Sequence, residues 1–346
     1  MRRISFWKRL LVPLCGIAAG CLMAPLPGLA QEKKQKEGPP RQEETYTIAV
    51  EVPVVQVPVM VTTERGDIIT ELKKENFRIL DDGQPQEISA FGPSEAPMTM
   101  VMLIEGSRAV GYVIYQIYDT AYAFLNHLKP EDWVALVTYD MKPRLEVDFT
   151  HSRREVADAL RGLGFAAFRE SNLFDALIDT LGRLKDVKGK KSILLISTGM
   201  DTFSKATLDQ AYKAAQNSDV TIFSVGQGQD IRERLDARGY ASGAQRVGWL
   251  QWDNQLRSFS QMSGGQAYFP RFFGEMPSIF KDIANRLRNQ YTIAYTPTQR
   301  ARDGKFHKIK VQVVGPDGQP LTAQDQKGKK HKIVVHAREG YYSPKG

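Results

Sequence analysis

Residues 98–107, MTMVMLIEGS, set the tightest limit on what this chain can fold into. Six of the first seven residues are apolar, without the alternation of a half-buried strand, and a polar corner of Glu105, Gly106 and Ser107 follows at once. A continuous apolar run of strand length suits a strand covered on both faces, as in a parallel sheet between helices. Open sheets of that kind bind their ligands past the carboxyl ends of the strands, which is where Glu105 and Ser107 would stand.

The alternation of apolar strand, loop and amphipathic helix repeats downstream as far as residue 290. A helix is expected over 113–128, with Ile117, Ala121, Phe124, Leu125 and Leu128 on one stripe. Strand 133–139, a short edge strand 145–149 running antiparallel, and a helix 153–163 capped by Ser152 follow. Further on, helices are predicted at 172–184, 208–216, 250–262 and 276–290, and strands at 192–197, 221–225 and 266–269. Residues 231–247 are polar and dotted with glycine, and read as a loop or insert. The expected architecture is Rossmann-like α/β, a mainly parallel sheet with helices on both faces.

Both flanks have β character instead. Valines alternate over residues 46–61 but switch parity at Val54-Val55, between Pro53 and Pro58, which suggests a bulge or an edge strand. Arg65-Gly66-Asp67 reads as a turn with a left-handed glycine, and Asp82-Gly83 as a hairpin between strands 76–80 and 88–91. After residue 290, strands are expected at 291–295, 306–314 and 332–337, and residues 324–332 form a lysine-rich, solvated hairpin. Each flank has too few strands to bury two faces alone, so the two are expected to fold together into one small β-sandwich. The resulting boundaries are 46–94 and 291–346 for the β segments and 95–290 for the α/β domain inserted between them.

The beginning of the chain reads as an export signal: a basic start, an interrupted apolar run, and the small-residue site Gly28-Leu29-Ala30. Residues 1–30 would be removed and 31–45, QEKKQKEGPPRQEET, would form a disordered linker. The mature protein would lie in the periplasm, in the cell envelope or outside the cell. Two alternatives put it at a membrane. Ala18-Ala19-Gly20-Cys21 loosely resembles a lipobox, so Cys21 could be lipidated, and an uncleaved segment would act as an anchor. Of the net charge of +8, four charges come from Arg2, Arg3, Lys8 and Arg9. The mild remainder, with no basic stripe interleaved with aromatics, argues against nucleic acid. Both cysteines, Cys15 and Cys21, lie in the signal, so the mature chain would have neither a disulfide nor a thiolate metal site.

Several motifs now converge. They are MTMVMLIE running into its polar corner, Trp133-Val134-Ala135-Leu136-Val137, the helix start Ser171-Asn172-Leu173-Phe174-Asp175, SILLIS followed by Thr198-Gly199-Met200-Asp201, and Ser263-Gly264-Gly265 before Tyr268-Phe269. Across residues 98–290 the chain resembles a von Willebrand factor A domain. With Phe77-Arg78-Ile79, Asp81-Asp82-Gly83, Tyr291-Thr292-Ile293-Ala294-Tyr295 and Arg338-Glu339-Gly340-Tyr341-Tyr342, nearly all of the mature chain resembles an exported bacterial family related to that domain and common in acidobacteria.

The resemblance implies macromolecular binding through Mg²⁺, or Mn²⁺ or Ca²⁺ in its place, held in three loops with one position left for a partner's carboxylate. The family motif puts Asp, Ser and Ser on the first loop, Thr on the second and Asp on the third. Here those positions are Glu105, Ser107, Ala109, Ser171 and Thr198, with Asp201 three residues further on. One carboxylate is longer, one hydroxyl is missing and one carboxylate is replaced. A degenerate metal site of Glu105, Ser107, Ser171 and Asp201 is therefore expected, holding its ion weakly or not at all, with Asp201 free to swing in. The ligand-binding edge would comprise Glu105, Ser107, Arg108, Ser171, Asn172, Thr198 and Asp201. Glu105 and Ser171 could equally serve as helix caps.

No catalytic constellation emerges. His127, His151, His307, His331 and His336 lack metalloprotease spacing and read as surface residues. There is no Gly-x-Ser-x-Gly elbow, Gly189-Lys190-Lys191-Ser192 precedes a strand instead of following one, and Gly226-Gln227-Gly228 lacks a third glycine. No organic cofactor is expected. The leading expectation is a non-enzymatic module that binds a protein or surface ligand through the loop edge. The alternative is a structural or assembly subunit of an envelope complex, acting through its β-sandwich.

Overall fold

The computed structural model describes residues 38–39, 54–92, 97–108, 114–163, 169–298, 302–324 and 328–344. The signal segment, all but two residues of the linker, residues 46–53 and Ala109 lie outside these. In chain order the strands and helices are β1 (Val55–Thr63), β2 (Phe77–Asp81), β3 (Gln84–Gln86), β4 (Ile88–Gly92), β5 (Met98–Glu105), α1 (Ile114–Leu125), β6 (Trp133–Tyr139) and β7 (Pro143–Thr150). There follow α2 (Arg153–Gly162), α3 (Leu173–Leu184), β8 (Lys190–Ser197), α4 (Leu208–Asn217), β9 (Thr221–Gly226), α5 (Gln229–Ala237), α6 (Gly243–Met262), β10 (Ala267–Tyr268) and α7 (Met276–Arg288). The chain closes with β11 (Tyr291–Tyr295), β12 (Phe306–Val313), β13 (Thr322–Gln324), β14 (Lys330–Ala337) and β15 (Gly340–Tyr342).

The central sheet has the order β10-β9-β8-β5-β6-β7, parallel except for β7, which pairs antiparallel with β6 at the edge. β5 lies in the middle, and its continuous apolar run divides between two cores. Met98, Met100, Met102 and Ile104 pack with α1, α2 and α7, whereas Val101 and Leu103 pack with α3, α4 and α6. A strand with helices on both faces has no polar parity, which is why the run does not alternate.

The two flanks form one β-sandwich. One sheet runs β13-β14-β1-β11-β4 and the other β15-β12-β2-β3, so each sheet draws strands from both ends of the sequence. Val55, Val57, Val59 and Val61 of β1 meet Phe77, Ile79, Tyr291, Ile293, Tyr295 and Ile309 in its core. The residues before Val54, on which the parity switch depends, lie outside the described ones, but β1 itself lies inside its sheet and not at an edge. Its first half pairs with β11 and its second half, from Val59 on, with β14. Pro58 therefore falls where β14 has run out, and its missing N–H breaks no ladder bond on that side. The Arg65-Gly66-Asp67 turn has Gly66 at φ +92°, and Gly66 N donates to the Thr63 carbonyl.

Two expectations need correction. Residues 231–247 are not a loop: they hold most of α5 and the first turns of α6. The signal was present, because Ser242 accepts from Gln245 N while Gln245 Oε1 accepts from Ser242 N, a reciprocal capping box. The histidines are not all at the surface either. His331 is buried with Nδ1 3.4 Å from Glu64 Oε1, and His307 and His336 are half-buried. Among the described residues no helix is long and apolar enough to cross a membrane.

The turn into β10 leaves no room for a side chain. A Cβ on Gly265 would lie 2.0 Å from the Ile222 carbonyl oxygen on β9. Gly265→Ala should therefore cost about 1–3 kcal/mol, read as a lowered midpoint of urea unfolding.

Candidate functional site

The parallel strands β5, β8 and β9 all end at the same edge of the sheet, so the loops after them meet there with the start of α3. Glu105, the last residue of β5, is fully buried and reaches across to the end of β8. Its Oε1 accepts from Ser107 Oγ at 2.6 Å. Its Oε2 accepts from Thr198 N at 2.7 Å, Thr198 Oγ1 at 2.9 Å and Ser197 Oγ at 3.1 Å. Ser197 Oγ in turn accepts from Tyr139 Oη and Gly199 N, both at 2.8 Å. The Tyr139 phenol is pushed well above its ordinary pKa, first by burial and then by the nearby Glu105 and Asp201 carboxylates. It stays protonated and acts as a donor.

The other expected residues divide. Ser171 is buried, and its carbonyl accepts from Thr202 N and Phe203 N, which ties the start of α3 to the third loop. Its Oγ has no hydrogen-bond partner of good geometry among the described residues, and neither has Asn172 Oδ1. Asp201 is committed to the start of α3: Oδ2 accepts from Phe174 N at 3.0 Å and from Ser204 Oγ, and Oδ1 accepts from Ser204 N. Arg108 is exposed. Glu105, Ser107 and Thr198 are thus in direct contact, while Asp201 faces Phe174 and Ser204 and the Ser171 Oγ is bonded to none of them.

This donor set, as arranged, does not fit a hard divalent cation. Mg²⁺ takes near-octahedral oxygen ligands at about 2.0–2.1 Å. Here both Glu105 oxygens already receive donors, among them the Thr198 N–H, which a cation could not face. Both Asp201 oxygens are spent as well.

Several participants were not anticipated from the sequence. Arg232 of α5 donates to the Thr198 carbonyl at 3.0 Å and pairs with Asp253 of α6 at 2.6 Å, beneath the third loop. Gln229 Nε2 donates to the second Asp253 oxygen, and the Arg232 guanidinium lies 5.4 Å from the Trp252 ring centre. Reading residues 231–247 as a loop hid this pair. Ser197 and Tyr139 were legible only as the last residues of their strands.

Large apolar side chains are exposed on the elements that approach the third loop. α6 passes the third loop at Trp252, whose carbonyl crowds Gly199, and ends beside the start of β9, where Ser263 Oγ accepts from Ile222 N. The helix therefore descends from the carboxyl edge, and the turns before Trp252 stand at or beyond that edge. They carry exposed Val247 (55 %) and Leu250 (61 %), and the preceding α5–α6 connection carries Tyr240 (71 %). Phe203 on the third loop is exposed as well.

Residues 99–265 match the model of the von Willebrand factor type A domain. No curated protein matches the chain. Among solved structures it is similar to the vWF domain of the type V pili tip protein Mfa5 from Porphyromonas gingivalis, at 13% identity over 55% of this chain and 95% of that one, with a TM-score of 0.43. It is also similar to a von Willebrand factor type A protein from Catenulispora acidiphila, at 8% identity over 86% and 76% of the two chains, with a TM-score of 0.44. A third is proximal thread matrix protein 1 from the mussel byssus, solved with a zinc-occupied MIDAS motif, at 9% identity over 60% and 49%, with a TM-score of 0.43. The sheet order, the helices on both of its faces and the matched model agree: residues 99–265 of this chain are a von Willebrand factor type A domain.

Proposed function

We propose that this chain is an exported, non-enzymatic binding module that captures a protein partner through the carboxyl edge of its type A domain, without needing a metal ion there. The exposed apolar group of Tyr240, Val247 and Leu250 carries the reading. Val247 and Leu250, three residues apart, share one face of α6, and exposed apolar faces mark interaction sites at which aromatic residues such as Tyr240 supply much of the binding energy. The polar groups beneath support a binding role over a catalytic one. Glu105, Ser107, Ser197 and Thr198 are spent on one another, and Tyr139 is held as a donor.

The test is capture from an envelope extract on the immobilised chain, with retained proteins identified by mass spectrometry. A Val247→Asp, Leu250→Asp variant should lose the specific partner at least tenfold, about the 1.4 kcal/mol that a single buried anchor contributes. A Lys329→Glu, Lys330→Glu variant on the β13–β14 hairpin should retain it, and chelator should leave capture unchanged. The opposite pattern, with loss on the sandwich and none at the edge, would make the chain an assembly subunit acting through its β-sandwich.

A further inference from the structure

The β-sandwich holds a second group of ligand atoms, apart from the loop edge. β2 ends at Asp81, the hairpin residue Asp82 follows, and β12, paired antiparallel with β2, brings His307 to the same point. The Asp81 side chain is 7 % exposed. Its Oδ2 accepts from Tyr295 Oη and Tyr341 Oη, both at 2.9 Å. Its Oδ1 is buried without any hydrogen-bond partner and lies 3.9 Å from His307 Nδ1. The His307 ring is 13 % exposed and stacks on Tyr341 at 5.2 Å. Its Nδ1 is 2.9 Å from Asp82 Oδ2, while Nε2 is buried, unpartnered and 3.8 Å from Asp303 Oδ1.

Buried polar atoms are as a rule hydrogen-bonded, so the orphaned Asp81 Oδ1 asks for a missing partner. An ionised Asp81 Oδ1 can only accept, and the ring nitrogen 3.9 Å from it is already engaged with Asp82. We propose that Asp81, Asp82 and His307 bind a transition-metal dication of the zinc type through Asp81 Oδ1, Asp82 Oδ2 and His307 Nδ1.

The three ligand atoms lie within 4.8 Å of one another. The separations from Nδ1, 2.9 and 3.9 Å, straddle the roughly 3.4 Å between ligands that tetrahedral bonds of about 2.0–2.1 Å require. The ion takes the place of the proton that Nδ1 shares with Asp82. That puts the remaining ring proton on Nε2, 3.8 Å from Asp303 Oδ1, from where a small closing movement would complete the carboxylate–histidine–metal arrangement that orients metal-bound imidazoles. The outer partners of the carboxylates are already in place. Two tyrosine hydroxyls hold Asp81, Lys308 N donates to Asp82 Oδ1 at 2.8 Å, and Ser343 Oγ and Lys305 N hold Asp303. Three carboxylates surround one imidazole, with Lys305 Nζ the cation beside Asp303, so a dication also offsets charge. The nitrogen ligand selects zinc-type ions over Mg²⁺ or Ca²⁺. The fourth position opens on the side of Asp82, whose side chain is 52 % exposed, and is available to water or to a donor from a partner.

The experiment titrates the untagged, chelator-stripped full chain with ZnCl₂ by calorimetry, in a Cys15→Ser, Cys21→Ser background that removes both thiols. One zinc ion per chain should bind, with millimolar Mg²⁺ unable to compete, and Co²⁺ should give the intense visible bands of a four-coordinate site. Asp82→Asn is the decisive variant. Asparagine tolerates the φ of +47° at this turn, so the fold is retained, and zinc affinity should fall at least tenfold. His307→Gln should do the same, with melting of the metal-free forms confirming that both variants fold. Three results would overturn the proposal: no zinc uptake, uptake undiminished in Asp82→Asn, or an NMR signature of a His307 imidazolium that persists at saturating zinc.

Discussion

Asp132→Ala should destabilise the type A domain by about 3–5 kcal/mol, among the largest single losses available outside its apolar core. Asp132 lies between α1 and β6 with a fully buried side chain. Its Oδ1 accepts from Met98 N, the first residue of β5, and from Arg288 NH1 at 3.0 Å; its Oδ2 accepts from Lys129 N at 2.6 Å and from Arg288 NH2. One carboxylate therefore fastens the start of the central strand, the turn before β6 and the last residue of α7. Alanine would strand a guanidinium and two backbone donors, and losing one partner of a buried pair costs far more than the pair itself contributes. The pH dependence has a definite sign. Burial alone would raise the Asp132 pKa, but the Arg288 bond and the Lys129 and Met98 amides overcome it and hold the group below its ordinary value. A carboxylate lowered on folding contributes fully above its unfolded pKa of about 3.9 and loses that contribution as pH falls through the folded value. Urea midpoints measured from neutral pH down to acid should show a shallower acid limb in the variant than in the parent.

Glu105→Ala should cost about 3 kcal/mol or more, and Glu105→Gln only about 1 kcal/mol. Alanine removes the acceptor for four donors. The Ser107, Ser197 and Thr198 hydroxyls can rotate elsewhere, but the Thr198 N–H is fixed by the backbone and left buried, and a cavity opens beside it. Glutamine retains an oxygen for the Thr198 and Ser197 donors, while its amide group donates to Ser107 Oγ once that hydroxyl turns. Thermal unfolding of both variants distinguishes two roles for the residue. An alanine variant as stable as the parent would mean that Glu105 is held in place for a ligand rather than for the fold.

Much of the architecture was legible because it is written in local pattern. The seven residues from Met98 to Ile104 are all buried, and their lack of alternation follows from helices on both sides. Ser152 was readable as a cap because a hydroxyl before an apolar stripe has few other uses, and it does accept from Glu155 N. Residues 231–247 lack a readable helical stripe because they are mostly polar, Ile231 and Leu235 are only part-buried, and Tyr240 and Val247 are exposed. The Ser242–Gln245 box was the one local signal, and polarity outweighed it.

The candidate sites were legible only as residue types. That an acid, a serine and a threonine would meet at one sheet edge follows from the parallel strand order, but not the direction in which Glu105 reaches. Its extra methylene lets it bridge β5 and β8 and satisfy itself there, while the Ser171 Oγ is left without a partner of good geometry. His307 and Asp82 are 225 residues apart, and no spacing rule joins them. The sequence by itself determined strand and helix type, the doubly covered centre and the β character of the flanks, because periodicity and capping depend on neighbours within a few residues. Tertiary structure alone decided which flank strands pair, which buried oxygens are satisfied and which remain open, because those depend on burial and on partners brought together from distant parts of the chain.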